Sequence, residues 1–420
     1  MGTGSSESTP DGGLMGWIDA RFPLSKTMRE HVTEYYAPKN FNYWYLFGSL
    51  ALVVLVIQIG TGIWLTMSYK PNAAEAFASV EYIMRDVEWG WLLRYMHSTG
   101  SSAFFLVVYL HMYRALLYGS YRAPRELLWI IGMVIYVALM AEAFLGYLLP
   151  WGNMAYWGAQ VIVSLFGTIP FIGEALAEWI KGDYFISDIT LNRFFALHVA
   201  ALPLVLAALA FVHIVALHAV GSNNPDGIEI KKHKDARGIP LDGVPFHPYM
   251  TVKDIFGLGV FLLLYCGVIF FAPTFGGLFL EAPNFEIANP MQTPPHIAPV
   301  WYFTPFYSML RAVPSFLGTQ IWGVLVMFGA ICVPFLLPWL DRSPVKSIRY
   351  KGPLSKIALG LFAVSFIVLA YCGTQPPVGI FPLIARIFTA IYFAFFVLMP
   401  WWSRVDSVKP EPQRVTYHGH

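Results

Sequence analysis

Apolar residues in this chain come in long blocks separated by shorter polar stretches. A helix needs roughly 20 apolar residues to cross a bilayer, and eight blocks qualify: 43–68 (A), 90–118 (B), 126–149 (C), 192–219 (D), 252–272 (E), 317–338 (F), 354–372 (G) and 379–402 (H). The pattern predicts an all-α integral membrane protein with eight transmembrane helices. Composition agrees, because 57% hydrophobic and 12% charged residues lie outside the range of soluble domains. The opening stretch MGTGSSESTPDGG lacks the basic-then-apolar order of a cleaved signal and reads as a polar, flexible tail.

Charge then orients the spans. Basic residues gather before A (Arg21, Lys26, Arg29, Lys39) and in the B–C (Arg122, Arg125), D–E (Lys231, Lys232, Lys234, Arg237) and F–G (Arg342, Lys346, Arg349, Lys351) connections. The A–B, C–D and E–F connections are neutral to acidic, with Glu75, Glu174, Glu281 and Glu286 among their residues. By the positive-inside rule both termini face the cytoplasm. The net charge of +2 gives no sign of nucleic acid. The 3 cysteines, Cys266, Cys332 and Cys372, show no CxxC or CxxCH spacing, which argues against disulfides, zinc and thioether-linked haem.

Span D, RFFALHVAALPLVLAALAFVHIVALH, is apolar yet carries His198, His213 and His218. Span B carries His97 and His111. B and D run the same way through the membrane, so His97 and His198 share the outer depth while His111 and His213 share the inner one. Fourteen helical residues rise about 21 Å and end about 40° short of four turns, so His97 and His111 lie on roughly one face. Two imidazoles at each depth is the pattern of two bis-histidine haems stacked across a membrane. Hydrogen bonding between helices is the competing account of any single intramembrane histidine; four at matched depths favour metal ligation.

Glycines and arginines strengthen that reading. Gly48 and Gly62 in A, and Gly132 and Gly146 in C, repeat the fourteen-residue spacing and leave room for a porphyrin edge. Plain helix packing is the alternative use of such glycines. Arg94 and Arg193 beside the outer pair, and Arg114 beside His111, suit haem propionates; snorkelling at span ends is their other reading.

These residues, with GYLLPWGNMAYWGAQVI (146–162), GSNNP (221–225), FHPYMTVKDIFG (246–257) and PVWY (299–302), resemble cytochrome b of the quinol:cytochrome c reductase (bc1) complex over residues 20–400. The resemblance implies a four-helix di-haem bundle at 21–225, a cytoplasmic D–E loop at 226–250 and a second four-span region at 251–403. Tails at 1–20 and 404–420 flank them. It also implies Rieske iron–sulfur and cytochrome c1 partners, a homodimeric complex and, with the Val300 form of the motif, a bacterial inner membrane. Fusion of E–H to the same chain, and the lack of a haem-tethering cysteine in A, set it apart from photosynthetic b6 relatives.

Two departures stand out. His198 and His213 are fifteen residues apart, and the extra residue turns a regular helix about 100° further, which a bulge or kink near Pro203 would absorb. Relatives commonly read PEWY where this chain reads PVWY, and Val300 cannot take a proton from quinol. Glu142, an unpaired carboxylate in span C, is the candidate substitute. Tyr147, Tyr302 and Phe144 are expected at the same outer quinol pocket. At the inner surface His218, Ser222, Asn223, Lys253 and Asp254 are the candidates for quinone reduction, His218 and Asp254 as the proton-handling pair. A helix-end charge for Asp254, and an interfacial hydrogen bond for His218, are the structural alternatives.

The expected reaction is bifurcated: quinol is oxidised outside, quinone is reduced inside, and the electron path through both haems builds a proton gradient. A di-haem anchor of another dehydrogenase is disfavoured by the four-plus-four layout and the second quinone pocket, and a proton-relay transporter by the absence of a transport path around the histidines.

Overall fold

The computed structural model describes residues 13–25, 35–315 and 319–416. The tail stretches 1–12 and 417–420, Lys26, Arg29 and the first two residues of the expected span F lie outside the described residues. Among the described residues, 7 helices are long and apolar enough to cross a membrane, and a bent pair brings the number to 8. They are A (Tyr43–Thr66), B (Gly90–Tyr118), C (Glu126–Leu148), D (Asp188–Val220), E (Phe246–Phe271), F (Ile321–Leu340), G (Pro353–Thr374) and H (Phe381–Val397 with Met399–Val405, bent by 62°).

Local chemistry explains where the ends differ from expectation. D starts at Asp188 because the Ser187 N–H donates to Thr190 Oγ1 at 3.1 Å, capping a polar first turn that hydropathy does not register. B stops at Gly119, whose φ of +65° reverses the chain. H breaks ahead of Pro400, which cannot donate to the preceding turn and sits in the first turn of the last helix.

A lies along B and C along D, while E packs on A and B. F, G and H surround a short helix, Thr304–Ala312, that follows the PVWY motif. One core joins both halves, running from Phe105 and Met133 through Tyr302 and Met309 to Leu369 and Phe396. Leu204, Phe211, Leu263 and Ile367 are exposed, as side chains whose solvent is hydrocarbon should be.

Two helices, Asn153–Phe166 and Gly173–Lys181, fill the C–D connection. This end of the bundle is the C–D face. The opposite end, the D–E face, carries the B–C, D–E and F–G connections. There strand Tyr36–Pro38 pairs antiparallel with Gly243–Pro245, and buried or half-buried ion pairs knit the loops: Arg125 to Glu229 at 2.6 Å, Lys346 to Glu229 at 2.7 Å and Lys351 to Asp341 at 2.7 Å. Burial alone would raise the Asp242 pKa, but hydrogen bonds from Arg414 and Lys39 outweigh it and hold the carboxyl at about 2.

Candidate functional site

Inside the A–D bundle the four histidines meet as two pairs. The His97 and His198 rings have centroids 6.1 Å apart at 87°, and His111 and His213 are 6.5 Å apart at 63°. The fifteen-residue spacing on D is absorbed at Leu197–Ala201, a π turn in which the Leu202 N–H reaches back five residues to the Leu197 carbonyl. The wide turn takes up one residue, and Pro203 follows it directly.

Each glycine faces one imidazole. A Cβ on Gly48 would lie 3.1 Å from His111, one on Gly62 3.2 Å from His97 and one on Gly132 3.2 Å from His213. A Cβ on Gly146 would drive into the His198 ring. A metal–imidazole bond is about 2 Å and a ring centre lies about 1 Å further on, so two imidazoles on one metal have centres about 6 Å apart. Both pairs match that spacing. Nδ1 contacts leave Nε2 available in the C–D-face pair: His97 Nδ1 lies 3.0 Å from Thr61 Oγ1, and His198 Nδ1 lies 2.9 Å from the Glu142 carbonyl and 3.0 Å from its carboxylate. The donor set, the glycine cradle and a buried Arg114 Nε with no hydrogen-bond partner therefore fit two flat anionic metal macrocycles.

The arginines divide. Arg114 Nη2 is 3.2 Å from His111 Nδ1, Nη1 donates to Ser120 Oγ, and the guanidinium lies over the Tyr45 ring at 4.8 Å. Arg94 lies half-buried one turn before His97. Arg193 is placed otherwise than the sequence suggested: it donates to the Trp179 carbonyl at 2.6 Å and packs on Gly182, which commits it to the C–D helices at the exposed edge.

At the C–D face the PVWY segment packs on span B. Tyr302 stacks on Phe105 at 3.9 Å, its hydroxyl is 2.9 Å from Ser101 Oγ, and Val300 is buried. Phe144 meets Phe194 edge-on at 5.5 Å. Tyr147 donates to Glu281 at 3.1 Å, and Asn284 Nδ2 donates to both at 3.0 Å. Sequence reasoning used Glu281 only as an orienting charge. What brings it here is the docking of the E–F loop on the Asn153–Phe166 helix. The Asn153 N–H donates to the Glu286 carbonyl, the Ala288 N–H to the Trp151 carbonyl and the Ala155 N–H to Asn284 Oδ1. Gly152 permits this approach, since a Cβ there would strike Asn284. Burial pushes the Glu281 carboxyl up to about 7 against the opposing Tyr147 and Asn284 hydrogen bonds. Burial, together with the nearby Glu281 charge, raises the Tyr302 phenol even though Ser101 opposes it. The one sequence hint was a carboxylate set among apolar residues in GLFLEAP.

At the D–E face the His218 ring stacks on Tyr35 at 4.6 Å, and the Tyr35 hydroxyl is 2.7 Å from Ser222 Oγ. Asp254 accepts from Ser49 Oγ at 2.9 Å, and Ser49 adjoins Gly48, which faces His111. Asn223 is buried and donates to the Tyr118 carbonyl and to Ser120 Oγ, with its own oxygen unpartnered. Lys253 is exposed. Tyr35 has no signal in the sequence, because it precedes span A and reaches the site through the Tyr36–Pro38 strand pairing.

A membrane bundle holding two imidazole pairs at two depths, with polar side chains gathered near each face, has the layout of a membrane electron-transfer protein. The chain belongs to the cytochrome b family of respiratory complex III. Residues 32–221 match the cytochrome b/b6/petB profile and 287–393 the cytochrome b C-terminal/b6/petD profile. Cytochrome b of Allochromatium vinosum is 65% identical over 98% of this chain and 100% of its own length. Cytochrome b/c1 of Bradyrhizobium diazoefficiens is 45% identical over 99% of this chain and 58% of that longer protein. A hyperthermophilic respiratory Complex III chain superposes with a TM-score of 0.85 at 39% identity, covering 93% of this chain and 98% of that one. This is a family of haem-binding, multi-span oxidoreductase subunits.

Proposed function

We propose that the chain oxidises quinol at the C–D face and reduces quinone at the D–E face, in a bc1 complex of the bacterial inner membrane with both termini cytoplasmic. His97 and His198 would hold the outer haem, and His111 and His213 the inner one. Bound there, the two haems supply a one-electron path between the faces. Quinol gives up two electrons and two protons. One electron leaves to a Rieske iron–sulfur partner and thence to cytochrome c1, and the other crosses the bundle to quinone, so two quinols are oxidised for each quinone fully reduced. The b/c1 name of the Bradyrhizobium relative supports the cytochrome c1 partner, and a homodimeric complex follows from the same family reading.

At the outer pocket Glu281 takes the proton that the Val300 form of the motif cannot. It is buried, its hydrogen bonds come from Tyr147 and Asn284, and its pKa of about 7 lies where a general base works best. At the inner pocket His218 and Asp254 supply protons to quinone, with Tyr35 and Ser222 fixing the imidazole. The observation that carries this reading is the pair of ring separations, 6.1 and 6.5 Å, each against a glycine cradle.

Reduced-minus-oxidised absorption of the purified complex tests it. We expect b-type bands from about two haems per chain, one lost in His97→Leu or His198→Leu and the other in His111→Leu or His213→Leu; a colourless chain excludes the reading. Glu281→Gln is expected to slow quinol oxidation roughly 100-fold. In the wild type the rate falls as pH drops through about 7, because the carboxylate must be ionised to accept. The variant loses that inflection, and an unchanged pH profile would show that another group takes the proton.

A further inference from the structure

Each imidazole pair has an arginine acting on it, Arg94 at His97 and Arg114 at His111, but the groups facing the Nδ1 atoms differ. On the C–D side, Thr61 gives its own proton to the Ile57 carbonyl at 2.7 Å and so accepts from His97 Nδ1. His198 Nδ1 faces an anion, the Glu142 carboxylate at 3.0 Å, beside the Glu142 main-chain carbonyl at 2.9 Å. On the D–E side, the neighbour of His111 Nδ1 is the Arg114 cation at 3.2 Å. A carboxylate inside a membrane helix is costly and calls for a reason. Glu142 has no basic side chain to offset it among the described residues other than the imidazole itself. Its second oxygen is buried without a hydrogen bond, and its first is the one 3.0 Å from His198 Nδ1.

We propose that Glu142 acts through His198 to lower the electron affinity of the centre held by His97 and His198. It is a positioning residue that touches the ligand and not the metal, and the inference rests on the reading that a haem occupies that pair. Two effects work in the same direction. An Nδ1–H that donates to the Glu142 carbonyl, with the Glu142 carboxylate 3.0 Å from the same nitrogen, makes the ring more basic, and the stronger Nε2 donor favours the oxidised metal. A fixed negative charge in a poorly screened interior also opposes an arriving electron. Arg114 has the reverse effect at the other pair.

The test is redox titration of the assembled complex, following each haem by its own absorption band. Glu142→Gln keeps an acceptor near Nδ1 and removes the charge. We expect the outer haem to hold its electron about tenfold more tightly, which is about 59 mV upward for one electron, with the inner haem unmoved. The iron–imidazole vibration should weaken in step. Thr61→Val, which removes a neutral acceptor, should shift the outer potential less. If Glu142→Gln sheds the outer haem, Glu142→Asp and Glu142→Asn repeat the comparison one methylene shorter, and a higher outer potential in the Asn variant supports the proposal. An unchanged outer potential with haem retained overturns it. So does an equal shift at both haems, or loss of the outer haem from charged and neutral variants alike. Wild-type complex without haem would overturn the functional reading itself, before any variant is compared.

Discussion

Single atoms decide the two depths of the bundle. A methyl on Gly132 would sit 3.2 Å from His213 and must be accommodated by a few tenths of an ångström, whereas one on Gly146 would overlap His198. Gly146→Ala is therefore expected to empty the outer haem site while Gly132→Ala keeps most of the inner one, as read from haem content per chain. Equal loss from both would mean that the cradle works by backbone packing alone. Two carboxylates meet different partners at this end of the bundle: Glu142 of span C lies against His198, and Glu281 of the E–F loop accepts from Tyr147.

Span D shows how an element adapts to a fixed ligand geometry. The π turn at Leu197–Ala201 stores the residue by which fifteen exceeds fourteen. Deleting Val199 lets the turn relax to a regular helix with the ligands still in phase, so both haems should remain. Inserting an alanine after Leu206 rotates His213 by about 100° and should abolish the inner haem, visible in the same spectrum. Spans and histidines were legible in the sequence because the bilayer fixes helix length and depth, and matched depths identify partners. Glu281, Tyr35 and Arg193 were not. Glu281 and Tyr35 are placed by segments that dock on distant parts of the chain, and no local periodicity records that the E–F loop pairs with the start of the C–D helix or that Arg193 turns to Trp179.

Across the whole molecule, the D–E face is the seam. Arg125, with a side chain 2% exposed, pairs with Glu229 and also donates to the Gly221 carbonyl at the end of span D. Arg125→Ala leaves that carboxylate and carbonyl without their partner and is expected to cost roughly 3–5 kcal/mol, measured as earlier thermal unfolding of the detergent-solubilised complex; an unmoved transition would show that Lys346 alone satisfies Glu229. The same seam has a further consequence. Glu229 with Lys346, Asp226 with Arg349, Lys39 with Asp242 and strand Tyr36–Pro38 with Gly243–Pro245 all bridge residues on either side of Ala236. A peptide bond cut at that point would release two separately encoded fragments, each inserting its own four spans, that still carry matching halves of every clasp. Co-expressed fragments are therefore expected to reassemble, as read from their co-purification, and fragments that fail to co-purify would show that the connection itself is needed.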